Sequence, residues 1–159
     1  MKKIIAILLL TCTLALCLVS CGGGSNDKEL SPEAIAEIRE SLSLMSFTLE
    51  AKSKTLSTSL TMYNLYVITK EEYKADSTYK QARDEFDDLL AYMKEFIDYY
   101  NEHSNCFNEE TAKSIADLEK IYNEILESKK TTSSEKSYVS LMDSTCDKIS
   151  AWTYVSTKD

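Results

Sequence analysis

The stretch SPEAIAEIRESLSLMSFTLEAKSKTLSTSLTMYNLYVITKEE, residues 31 to 72, decides the fold. Ser31-Pro32-Glu33 reads as a helix start: the serine hydroxyl serves orphan backbone amides, proline suits the first helical position, and the glutamate favours the dipole. Apolar residues then recur at Ile35, Ile38, Leu42, Met45, Leu49, Leu56, Leu60, Tyr63 and Val67, and Lys52 alone interrupts the three-four alternation. That spacing lines one face of a helix. From 32 to 68 such a helix rises on the order of 55 Å at 1.5 Å per residue, so an elongated bundle is expected. Thr69-Lys70-Glu71-Glu72 matches a capping box, which places a break there. Without that break, one rod of roughly 70 residues would need cover that a single domain cannot give.

Outward from this stretch the same pattern repeats. Tyr79, Phe86, Leu89, Leu90, Met93, Phe96, Ile97 and Tyr100 predict a second helix over about 74–103. Asn101 to Asn108 is polar and reads as a loop, and Asn108 before Glu109-Glu110 is a cap for a third helix over 109–128, with its stripe at Ile115, Leu118, Tyr122 and Ile125. Lys129 to Ser134 reads as a connector holding a second capping box, Thr132 to Glu135. The fourth helix is predicted over 134–155, with Tyr138, Leu141, Met142, Thr145, Ile149 and Trp152 inward. Each stripe is buried only against another stripe, so the expected fold is all-α: an elongated antiparallel bundle of four helices.

Composition excludes most alternatives. The 159-residue chain has three glycines, all at Gly22 to Gly24, and one proline, Pro32. Primed hairpin turns, phosphate-cradling loops, dinucleotide fingerprints and nucleophile elbows all need glycine, so β-barrels, nucleotide enzymes and α/β hydrolases are not expected. The net charge is −8, and without Lys2 and Lys3 it is −10, from 16 basic against 26 acidic residues. Nucleic acid is therefore not expected as a partner, since phosphate binding needs clustered cations.

The N-terminus has the order of an export signal. Lys2 and Lys3 precede an uncharged apolar run from Ile4 to Val19, too short for a comfortable membrane span. The run ends in Leu18-Val19-Ser20-Cys21, which resembles the lipobox of bacterial lipoproteins at all four positions. The resemblance covers residues 1 to 21 and implies that a diacylglyceryl group joins the Cys21 thiol, that a peptidase cuts before it, and that 1–20 is a lipoprotein signal peptide. Two acyl chains, at roughly 0.8 kcal/mol per buried methylene, hold a protein at a bilayer where one would not. Residues 21–30 then form the lipidated cysteine and a flexible Gly-Ser-Asn-rich linker, and 31–159 a single helical domain. The expected location is the extracytoplasmic face of a cell membrane. Linker and lipobox are most similar to lipoproteins of Gram-positive cells, which implies the plasma membrane, although the motif itself leaves plasma and outer membrane open.

Few residues in the domain carry the pattern of a chemical site. His103 is the single histidine, so two-histidine zinc motifs are out of reach, and Tyr100 stands where a di-iron bundle needs glutamate. Asp84, Asp87 and Asp88 could gather a weak Ca²⁺ but read as a solvated face. No metal or cofactor is expected. Cys106 lies three residues from His103, yet no orienting group or oxyanion loop accompanies the pair, and no catalytic residue is assigned. With Cys21 lipidated, Cys106 and Cys146 are an even pair in an exported domain, where a disulfide is permitted. In a simple hairpin they lie roughly 15 Å apart, so that bond requires the 101–108 loop to fold back. Ten tyrosines make Tyr92, Tyr99 and Tyr100 a candidate binding surface for a protein or glycan, with half-buried packing at the bundle edge as the alternative.

These features lead to a membrane-anchored, noncatalytic interaction or scaffold module of the cell envelope, bound to the membrane through Cys21. An envelope protein or a second copy of the chain would be its partner. The alternative is a small-ligand receptor with a tyrosine-lined pocket between helices; two-lobed solute receptors that hinge around a ligand need an α/β architecture this chain does not encode.

Overall fold

The computed structural model describes residues 30–155. The signal-peptide, Cys21 and linker assignments lie outside the described residues, as does the 156–159 tail. Four α-helices run through the described chain: α1 Pro32–Ile68, α2 Glu72–Glu102, α3 Glu109–Thr131 and α4 Glu135–Ala151, with a short 3₁₀ turn, Ser104–Cys106, between α2 and α3. The fold is an all-α four-helix bundle.

Each helix packs on its sequence neighbours, and α4 closes the ring on α1. Side-chain pairs show α1 running antiparallel to both α2 and α4. Tyr63 of α1 meets Tyr79 of α2 with ring centroids 5.8 Å apart, while Lys52 further back on α1 pairs with Asp88 further along α2. Tyr63 also donates to the Glu135 carboxylate at the start of α4, and Cys146 further along α4 donates to the Ser53 carbonyl. Lys148 near the end of α4 pairs with Glu124 of α3 at 2.7 Å.

The core follows the helical stripes. Leu42, Leu49 and Leu56 of α1, Phe86, Leu89, Met93 and Phe96 of α2, Leu118 of α3 and Met142 of α4 are fully enclosed. Each such side chain contributes about 1.5–3 kcal/mol through burial, which offsets the cost of ordering long helices. Where the α1 stripe lacks an apolar residue, buried Ser53 fills the gap under Cys146. Val67 was expected in the core and is 50 % exposed. The reason is tertiary: Tyr63 is level with Glu135, where α4 begins, so the last turn of α1 extends past the start of α4.

Both expected capping boxes are corrected. Thr69 ends α1 rather than starting α2: its hydroxyl donates back to the Leu65 carbonyl at 3.0 Å. The chain reverses through Lys70 at φ 59°, the Lys70 amide donates to the Val67 carbonyl and the Glu71 amide to the Tyr66 carbonyl, the paired bonds of a Schellman turn built without glycine. The second helix consequently starts at Glu72, with no side-chain cap. Thr132 behaves as Thr69 does, donating to the Ser128 carbonyl at 2.9 Å, so α3 extends to Thr131 instead of stopping at 128. The cap of α4 is Ser134, in a reciprocal pair with Ser137. Asn108 caps α3 as its sequence indicated, accepting from the Thr111 amide at 2.9 Å.

The fourth helix stops at Ala151, four residues before the expected end. Trp152 to Val155 leave the helix and cross the start of α3 as a strap. The Trp152 indole donates to the Ser114 carbonyl, the Ser114 hydroxyl to the Thr153 carbonyl, and the Thr111 hydroxyl to the Val155 carbonyl, at 2.8, 2.8 and 3.0 Å. Trp152 and Tyr154 both stand edge-on to Phe96, with centroids 5.9 and 6.0 Å away. The strap therefore exchanges helical hydrogen bonds for aromatic burial and three bonds to α3.

Candidate functional site

The His103–Cys106 pair sits where α2 unwinds. His103 caps α2, its ring lies 4.5 Å from the Tyr99 ring, and its Nδ1 is 2.9 Å from the Tyr99 carbonyl. Cys106 is buried in the 3₁₀ turn with its thiol toward the Asn105 side chain, and its carbonyl accepts from Arg39 Nε at 2.7 Å. The two side chains are thus committed to different neighbours, and the Arg39 bond fastens this turn to the beginning of α1.

The Cys106–Cys146 disulfide is not formed; both cysteines are free and buried. Cys106 is held at the level of Arg39 and Cys146 at the level of Ser53. Those α1 positions are about 21 Å apart along the helix, far beyond the roughly 7 Å Cα separation a disulfide tolerates. Burial pushes the Cys146 thiol up to about 11, and Asp143 and Asp147 add to the same shift, so it stays protonated.

Tyr92, Tyr99 and Tyr100 lie half-buried against the core. Lys52 stands 5.3 Å over the Tyr92 ring, Tyr99 stacks near His103, and Tyr100 lies 5.4 Å from Phe107. The acidic trio of α2 is exposed, and two of its members face cations of neighbouring helices: Asp88 meets Lys52, and Asp87 meets Lys129 at 2.6 Å. No cluster of metal-ligating side chains occurs among the described residues.

Two features had no sequence signal. An open groove of about 770 Å³ runs between α3 and α4, lined by Ala116, Glu119, Lys120, Asn123, Glu124, Glu127, Ser128 and Lys148. Seven of these eight residues are polar or charged, and none is tyrosine. A polar and aromatic cluster lies where α1, α2 and α4 meet: Tyr63 donates to Glu135, Arg83 stacks 4.6 Å over the Tyr138 ring, and Phe86 meets that ring edge-on. The Tyr138 hydroxyl is buried without a hydrogen-bond partner. Burial and the Glu135 carboxylate push the Tyr63 phenol up to about 12, which keeps it a donor. The contacting pairs are 52 to 72 positions apart in the chain, and only the packing of α4 onto α1 and α2 assembles them.

No protein-family model, curated protein or solved structure matches the chain. Of the described helices, none is long and apolar enough to cross a membrane.

Proposed function

We propose that this protein is a lipid-anchored, extracytoplasmic lipoprotein whose helical bundle serves as a noncatalytic interaction or scaffold module of the cell envelope. The observation that carries the reading is Leu18-Val19-Ser20-Cys21 behind a basic-then-apolar leader. On this reading Cys21 is the membrane tether, residues 22–30 let the domain stand off the bilayer, and the bundle presents helix faces to a partner. The described side chains support it by their engagement: the thiols are buried, His103 is committed to Tyr99, and the groove between α3 and α4 is open rather than a closed pocket.

Metabolic labelling with a clickable fatty-acid analogue tests the anchor. Wild-type chain takes up label and fractionates with membranes, and Cys21→Ser loses both. Label retained in Cys21→Ser, or absent from wild type, overturns the proposal.

A further inference from the structure

The first helix carries two apolar faces, and the bundle uses only one. Leu42, Leu49, Leu56 and Leu60 are buried, and the residues two positions on from each, Leu44, Ala51, Thr58 and Met62, lie about 200° around the helix and are exposed. Phe47 and Leu65 complete this outer seam, at 66 % and 48 % exposure, with Leu44 at 57 % and Met62 at 37 %. By contrast α3 and α4 expose no large hydrophobic side chain. Single exposed apolar residues need no explanation, but an aligned series on one helix is the pattern of a contact face.

We infer that the outer seam of α1 pairs, antiparallel, with the same seam of a second copy of this chain. The occupant is read from the order of the seam. Leu44, Phe47, Ala51, Thr58, Met62 and Leu65 read alike from either end: large, large, small, small, large, large. A two-fold axis between Lys54 and Thr55 sets Leu44 against the partner's Leu65, Phe47 against the partner's Met62, and Ala51 against the partner's Thr58. Self-complementarity about one axis is what an isologous dimer requires, and small residues at its centre let the helix backbones approach.

At the ends of the same axis exposed Glu40 lies opposite the partner's Thr69, one residue from the partner's exposed Lys70, and neither Glu40 nor Lys70 has an ion-pair partner within the described chain, while Lys54 at the axis is already paired with Glu50 of its own helix. The threonines of this face would bury no unmet donor, because Thr48, Thr55 and Thr58 already donate to carbonyls four residues back, at 3.1, 3.0 and 2.9 Å. From Glu40 to Lys70 the contact is about 45 Å long and about 10 Å wide, or roughly 900 Å² over both copies. Stable complexes bury about 1,200 Å² or more, so the pair is a weak, reversible one.

The inference rests on the interaction-module reading, to which it gives a partner, but not on the anchor. The test is cysteine crosslinking of the full chain in whole cultures of cells that make it, read whether or not the chain fractionates with membranes. Thr55→Cys places thiols beside the axis, and exposed Lys136→Cys on α4 is the control. Under mild oxidation Thr55→Cys forms a disulfide dimer of twice the chain mass, well above wild type and Lys136→Cys. Adding Phe47→Asp, which leaves the bundle core intact, lowers that yield by more than about tenfold, because a two-fold interface loses the same anchor twice. A dimer yield equal to the control, a yield indifferent to Phe47→Asp, or capture of a different protein in place of the dimer overturns the inference. Lipid label read on the same samples reports the anchor separately, so either idea fails without the other.

Discussion

Replacing Phe96 by alanine tests whether the strap belongs to the core. Phe96 is fully enclosed on α2 and is the shared neighbour of Trp152 and Tyr154, both edge-on to it. A Phe→Ala change in a packed core costs about 3–5 kcal/mol through lost transfer energy and the cavity left behind. Two aromatic edge contacts, worth about 0.5–1.5 kcal/mol each beyond their area, put Phe96→Ala at the upper end of that range. Against the 5–15 kcal/mol typical of a whole domain, that is a large share. For a domain of this size about 1 kcal/mol moves Tm by roughly 4 °C, so the expected fall is about 15–20 °C. Trp152 is the single tryptophan, so its fluorescence reports the strap directly. Urea titration followed by Trp152 emission and by far-ultraviolet circular dichroism is expected to give coincident transitions, a lower midpoint and an unchanged slope. A loss under about 1 kcal/mol, or a strap transition well before helix melting in wild type, would refute the reasoning.

Two further outcomes follow from single residues. Lys70 occupies the left-handed region at φ 59°, which costs a side-chain-bearing residue roughly 1–2 kcal/mol and glycine almost nothing. After glycine's greater unfolded-state entropy is deducted, Lys70→Gly raises stability by about 0.5–1 kcal/mol, or roughly 2–4 °C in a thermal melt, and a lower Tm would contradict the Schellman turn. Cys146, held protonated by burial up to about 11, is expected to resist iodoacetamide at pH 8 until the chain unfolds. Because its folded pKa is raised, the stability it contributes is complete below the unfolded thiol value of about 8.5 and is lost as pH climbs toward 11. Rapid alkylation of native Cys146, or stability unchanged from pH 8.5 to 11, would contradict its placement under Ser53.

The helices were legible because their apolar spacing is local information. The boundaries of α1, from its Ser31 cap to Ile68, and the Asn108 cap of α3 needed no tertiary knowledge. Thr69 and Thr132 misled for one shared reason: a threonine followed by a glutamate fits a capping box, but the same hydroxyl can turn back to a carbonyl four residues earlier and end the preceding helix. Only the lengths of the neighbouring helices decide which. Trp152 to Val155 continue a helical apolar pattern and gave no stop signal, since what draws them off the axis is Phe96 and Ser114, residues distant in sequence. Val67 carries the right period for the core and is exposed because α4 begins below it. The cluster around Tyr138 was invisible for the same kind of reason, being assembled by closure of the helix ring.

Intact-mass analysis of the protein extracted from its native membranes addresses the central claim most directly. The expected species begins at Cys21 and carries the added mass of a diacylglyceryl group on that residue. A chain that retains residues 1–20, or one cut elsewhere with Cys21 unmodified, would contradict it.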